Sequence, residues 1–227
     1  MKQIQDAYIV AATRTPIGRS HKGFFRNTRP DDLLATTLKA VMAQAPGLDP
    51  QAVEDVICGC AIPEAQQGLN VARIGAVLAG LPKSVGGITV NRFCASGLSA
   101  VAMAADRIRV GEADVMIAAG VESMSMVPMM GNSPSLSPSI FAPDSDVGIA
   151  YGMGLTAERV AQQWKVSREA QDAFAVESHR RALAAQQAGE FAAEITPIEV
   201  TDRGLDLATG QTTARSRTVS LDEGARA

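Results

Sequence analysis

Aromatic residues are scarce in this chain: phenylalanine, tyrosine and tryptophan together make up 4%. Any core must therefore be packed from alanine, valine, isoleucine, leucine and methionine. A surplus of one charge is lacking too. Lysine and arginine number 21 against 24 aspartates and glutamates, for a formal net charge of -3. No positive field is available to draw in nucleic acid. No apolar run approaches the ~20 residues that span a bilayer, so no membrane partner is expected. The N-terminus, MKQIQDAYIV, lacks the apolar stretch of a secretory signal. With three cysteines and no signal, the thiols are expected to be reduced and the location cytoplasmic. There are two histidines, and His21 has no ligand-type neighbour, so no metal is expected. What remains is ordinary globular composition over 227 residues, 46% of them hydrophobic. That suits one large domain or two small ones.

The first ~120 residues alternate short apolar runs with helical patterns, which predicts an α/β fold with a mainly parallel sheet covered by helices. Ala7–Ala12 reads as a buried strand closed by Arg14-Thr15-Pro16-Ile17-Gly18. The basic stretch Arg19–Arg29 reads either as a solvated loop or as an anion site or subunit contact. Pro30-Asp31-Asp32 starts a helix that Pro46-Gly47 ends. Val53–Ile62 is the second strand. Its Cys58 and Cys60 share one face and read as packed core thiols, since no other Cys or His lies near enough to complete a metal site. Gly68–Leu81 is a second helix, Val85–Val90 a third strand and Asp114–Gly120 a fourth. The helix expected from Cys94 to Ile108 is apolar on most faces, which predicts burial on all sides.

After Gly120 the character changes. Ser123–Asp146 carries Met124, Met126, Met129, Met130 and Pro128, Pro134, Pro138 and Pro143 among many serines. It reads as a long loop, either partly buried or lining an adaptable groove with its methionines. Thr156–Trp164 and a helix capped by Ser167 and ended near Gly189 follow. His179, beside Glu177, Arg180 and Arg181, reads as part of a polar helix face. Ile195–Val200 reads as a strand, and Thr201–Ala227 as polar and weakly patterned.

Cys94 is the candidate nucleophile. It sits between a strand and a helix, in VNRFCASGLSAVAMAADRI. The reactive form of a cysteine is the thiolate, and the free N–H groups of a helix start favour negative charge and can hold an oxyanion. Ala95, Ser96 and Gly97 are small enough to let a substrate approach the backbone. That suits acyl transfer through a thioester. Inert cysteines also occur at helix starts, and the residues alone leave both readings open.

Four stretches resemble the thiolases, in the family's order: RTPIGRS, CGCAIPEAQQGLNVAR, NRFCASGLSAVAMAADRIRVGEADVMIAAGVESMSMVP and YGMGLTAERVA. The resemblance runs from about Ile4 to Ala227 and is nearest to the degradative 3-ketoacyl-CoA thiolases, with acetoacetyl-CoA thiolase as the near alternative. A ketosynthase of the same superfamily would also acylate a helix-start cysteine, but the Met-rich loop and YGMG favour a CoA-type thiolase. The resemblance implies the first half of a layered α/β/α/β/α fold with an inserted loop domain: residues 1–120 as the nucleophile half and 121–227 as the loop domain. It implies an acyltransferase that cleaves a 3-ketoacyl-CoA with CoA, in fatty acid β-oxidation or the reverse condensation. Cys94 would carry the acyl group. Met153 and Arg226 match positions near CoA, which acts as co-substrate, and no cofactor is needed. Dimers or tetramers are the family's assemblies. The family's activating Gly-His-Pro and acid/base Cys-x-Gly-Gly-Gly motifs do not occur in these residues. The chain therefore reads as the N-terminal half plus most of the loop domain. It is expected to turn over little by itself, or to serve as a non-catalytic binding or assembly fragment, and to expose apolar surface.

Overall fold

The computed structural model describes residues 4–142 and 151–226. Of the predicted Met-rich loop, 143–146 lie outside the described residues. The chain forms two compact units: Met1–Asn132 with Ala192–Gly224, and Ser133–Phe191 with Ala225–Ala227.

The first unit is built on a parallel sheet of order β2-β1-β3, with β1 at Asp55–Gly59, β2 at Gly86–Val90 and β3 at Met116–Gly120. The register pairs Gly59 with Val90 on one side and with Gly120 on the other. β1 is buried along its whole length, as a central strand covered on both faces must be. Alternate residues of β1 serve opposite faces. Val56 and Cys58 pack under helices α1 (Pro30–Ala43) and α2 (Val71–Leu78), with Leu34, Leu38, Val71 and Ala76. Ile57 packs on the other face against Ala100 and Ala104 of α3 (Ser96–Arg109). The β1-α2-β2 and β2-α3-β3 crossovers run in opposite directions along the sheet. Right-handed connections therefore put α2 and α3 on opposite faces. α1 and α2 meet closely at Gly75, where a Cβ would lie 2.5 Å from Leu34 Cδ2. Asn70 caps α2: its Oδ1 accepts from Arg73 N–H and from Thr89 Oγ1, and its Nδ2 donates to Gly87 C=O.

Cys58 and Cys60 are fully buried in the α1/α2 face of the core, as the spacing predicts. Two other expectations are corrected. Ala7–Ala12 forms no strand, and Tyr8, Ile9 and Val10 are 77%, 81% and 81% exposed. Its neighbouring backbone bonds elsewhere, Gln5 N–H to Arg109 C=O and Ala12 N–H to the Gln44 side chain. An apolar run becomes a strand only where a sheet edge takes its peptide groups. Nor is α3 buried all round. Ser96, Ala100 and Ala104 face the sheet, while Leu98 is 75% exposed and Val101 and Met103 are also exposed. The sheet covers one side of the helix only.

The tail read as unpatterned forms most of an antiparallel hairpin, β4 (Ile198–Leu205) with β5 (Thr212–Val219). Ile198, Val200 and Val219 build a small core with Phe24 and Phe25, whose rings meet edge to face at 4.6 Å. The basic stretch 19–29 is thus anchored on two buried aromatics rather than fully solvated. Two acids fasten this stretch and the residues leading into it. Asp222 takes both Nη atoms of Arg14 at 2.7 and 2.9 Å, and Arg14 Nε also reaches Glu194 at 2.7 Å. Glu223 Oε2 accepts the N–H groups of Arg19 and Phe24. Arg14 holds the Asp222 carboxyl below its usual range.

The second unit carries α4 (Met153–Trp164) and α5 (Arg168–Gln187). Ser167 caps α5 by accepting from Ala170 N–H, as expected. Lys165 closes α4 in the left-handed region, at φ 54°. Glu177 pairs with Arg180 and Arg181 along the exposed face of α5.

Candidate active site

The site of interest lies at the carboxyl end of the parallel strands, the usual place for chemistry in such sheets. β2 ends at Val90, and Asn91-Arg92-Phe93-Cys94-Ala95 turns the chain into α3. Cys94 therefore precedes the first helical residue by two positions. It is the one exposed thiol among the three, the others being fully buried. Burial pushes the Cys58 thiol up to about 12 and the Cys60 thiol up to about 11, which leaves both protonated and inert.

The turn is tightly held. Phe93 has φ +46°, a left-handed conformation that a bulky residue rarely adopts. Asn91 Oδ1 accepts from Phe93 N–H at 2.9 Å, an Asx turn, and Asn91 Nδ2 donates to Ala61 C=O at 2.9 Å. Ser96 Oγ accepts from Arg92 N–H at 2.8 Å and donates to Phe93 C=O at 2.6 Å. The rim continues through Ala61 N–H to Glu122 Oε2, and Glu122 Oε1 takes the buried Gln67 amide. Gln67 Oε1 in turn accepts from Ser123 N–H. These bonds tie the segments after β1 and β3 to each other and to the turn.

Beneath the turn the sheet offers glycine. A Cβ on Gly59 would lie 2.4 Å from Ser96 C and 2.5 Å from Gly97 N. No side chain fits there, so the start of α3 rests on the bare backbone of β1. Gly120 is adjacent, its notional Cβ 3.8 Å from Gly97 Cα. Among the described residues the N–H groups of Gly97 and Leu98 have no hydrogen-bond acceptor. They are the orphan donors of a helix start, three and four residues past Cys94. An exposed thiol at such a helix start can attack a carbonyl carbon, and unpaired N–H groups are donors of the kind that hold an oxyanion.

The other two site residues predicted from the sequence lie in the second unit. Met153 is the first residue of α4 and is exposed. Arg226 is exposed as well, and its backbone N–H donates to His179 Nδ1 at 3.3 Å. His179 thus meets the chain's own backbone. His21 is exposed at φ +61°, its N–H donating to Ser125 Oγ. No cluster of three or more His, Cys, Asp or Glu side chains that could hold a metal occurs among the described residues.

Sequence reasoning missed Asn91, Gly59 and the hydroxyl of Ser96 as parts of the site. Asn91 carried a signal, being an Asx-turn residue two positions before Phe93. Gly59 carried none, because it acts through a contact distant in sequence; the Ser96 hydroxyl, which bonds Phe93 and Arg92 only three and four positions back, was read for its size alone.

A family model described as the thiolase N-terminal domain matches residues 7–226. A protein from Bacillus subtilis (strain 168) named 3-ketoacyl-CoA thiolase is 49% identical over 87% of this chain and 50% of its own length. Proteins of the same name from Shewanella sp. (strain MR-7) and Aeromonas hydrophila are 46% and 45% identical, each over 86% of this chain and 50% of their own. The chain thus spans about half the length of the curated relatives it matches.

Proposed function

The chain belongs to the thiolase family, and from that premise we propose that it supplies the nucleophile of a CoA-dependent 3-ketoacyl-CoA thiolase. The observation that carries the reading is Cys94, an exposed thiol held on a strained turn at the start of α3. In this scheme Cys94 Sγ, as thiolate, attacks the C3 carbonyl carbon of a 3-ketoacyl-CoA. The C2–C3 bond breaks, and its electron pair leaves as the enolate of acetyl-CoA, which takes up a proton. The shortened acyl group stays on Cys94 as a thioester. The thiol of a second CoA then takes the acyl group, releasing acyl-CoA and the free cysteine. Run backwards, the same steps make a Claisen condensation. The unpaired N–H groups of the first turn of α3 stabilise the negative carbonyl oxygen of the tetrahedral intermediate.

The same reading assigns CoA contacts to Met153 and Arg226, with CoA as co-substrate and no cofactor. It places the reaction in fatty acid β-oxidation in the cytoplasm, in a homo-oligomer. Support for these finer points is the family resemblance of YGMG and of the C-terminal arginine. Turnover by the 227 residues alone is expected to be low, because no Gly-His-Pro or Cys-x-Gly-Gly-Gly motif is among them. Losing a nucleophile's base costs about 10³-fold or more.

The test is mass spectrometry of the purified chain after exposure to acetoacetyl-CoA and to longer 3-ketoacyl-CoAs. An acyl adduct on Cys94, absent from Cys94→Ser, is the expected result. Intact CoA binding with no adduct would replace the nucleophile reading with that of a binding fragment.

A further inference from the structure

Ser96 belongs to a run of small residues, and smallness is enough to explain an alanine or a glycine against the bare backbone of Gly59. It does not explain a hydroxyl. Ser96 is 3% exposed, and a polar group placed there is unfavourable unless its hydrogen bonds are made. Both are made, and both go to the turn before Cys94. Ser96 Oγ accepts from Arg92 N–H at 2.8 Å and donates to Phe93 C=O at 2.6 Å. The same carbonyl also accepts from Ser96 N–H at 3.0 Å. On the other side of Phe93, its N–H is taken by Asn91 Oδ1. The left-handed residue is therefore gripped at both of its peptide groups. Strained conformations of this kind persist only where the surroundings over-determine them. The direction of the next Cα–Cβ bond, that of Cys94, follows from the φ and ψ of Phe93.

We propose that Ser96 is a positioning residue for Cys94, its hydroxyl clasping the Arg92–Phe93 turn that presents the thiol. The inference rests on the reading of Cys94 as the acyl-accepting nucleophile. Without the hydroxyl, Arg92 N–H loses its acceptor and Phe93 is free to relax toward the extended or right-handed region. The thiol stays exposed but loses the direction that the turn imposes on it.

The experiment uses the 227-residue chain and its Ser96→Ala and Ser96→Thr variants. Three quantities are read: hydrogen exchange of Arg92 N–H by NMR, acylation of Cys94 by acetoacetyl-CoA, and alkylation of Cys94 by iodoacetamide. In Ser96→Ala, Arg92 N–H is expected to exchange about tenfold faster or more. Acylation falls about tenfold, the cost of a misplaced nucleophile, while alkylation by the small reagent changes less than about twofold. Ser96→Thr keeps the hydroxyl and restores both exchange and acylation. Unfolding would instead open the buried Cys58 and Cys60 to the reagent, which identifies a merely structural effect. If the threonine methyl is not accommodated, Ser96→Gly serves as a second chain lacking the hydroxyl and must match Ser96→Ala. Unchanged Arg92 exchange in Ser96→Ala, with Cys94 still acylated at the parent rate, overturns the role of Ser96 and leaves the nucleophile reading intact. Absence of acylation in the parent chain, with Arg92 exchange still depending on the hydroxyl, overturns the nucleophile reading and leaves the clasp.

Discussion

At the scale of single residues, the three thiols divide by burial. Cys58 and Cys60 are pushed up to about 12 and about 11, chiefly by desolvation. Their ordinary value is 9.0. Above that value the unfolded chain sheds thiol protons that the folded chain keeps, so their contribution to stability falls as pH rises, from about 9 until it is lost near 12. Urea midpoints of the parent and of Cys58→Ala, followed from neutral to alkaline pH, are expected to converge over that window. A constant gap would show that Cys58 is ionised when folded. Gly59 makes a different prediction. Gly59→Ala puts a methyl into the backbone of Ser96 and Gly97, and should destabilise the chain by about 3 kcal/mol in urea unfolding, the upper range for overpacking. Cys94 was legible at this scale because its neighbours form a contiguous stretch. Gly59 was not, since the contact it permits is made by residues nearly forty positions away.

At the scale of elements, the sequence signals that held are the local ones. Asp31 and Asp32 sit in the first turn of α1 and Ser167 caps α5, each legible from a few adjacent residues. The core thiols were legible too, because a strand's period of two is local. The failures share a cause. Ala7–Ala12 has the composition of a strand but no ladder partner, and β5 has a ladder partner but a polar composition, with all but Val219 exposed. Pairing decides both cases, and pairing is not written in either segment alone. One terminus invites a stabilising change. Lys165 closes α4 at φ 54°, where a side chain is strained and glycine is not. Lys165→Gly should stabilise the second unit by about 0.5–1 kcal/mol, on the glycine-versus-side-chain scale for left-handed positions. Thermal unfolding followed by circular dichroism would measure it, and a lowered midpoint would contradict it.

At the scale of the whole molecule, the exposed apolar side chains are too many for ornament. Within the first unit Tyr8, Ile9, Val10, Phe93, Leu98 and Val110 all face outward. Apolar surface left open to water binds dye and drives association. The chain is expected to enhance the fluorescence of an apolar dye strongly and to self-associate at micromolar concentration. Leu98→Glu with Ile9→Glu should suppress both, as read by dye titration and sedimentation. A dye-silent monomeric parent would refute it. No helix among the described residues is long and apolar enough to cross a membrane.

The glycine bed under α3 has a consequence for how such a site tolerates change over generations. The thiol's height above the sheet is fixed by main chain resting on main chain, and main chain does not mutate. Side chains that make no bond to the turn are then free to drift, while the thiol keeps its altitude. A scaffold of that kind separates the part that must be accurate from the part that can be varied. Attempts to reshape the surroundings of Cys94 should therefore spare Gly59, Ser96 and Gly97 and spend their diversity on the loops above.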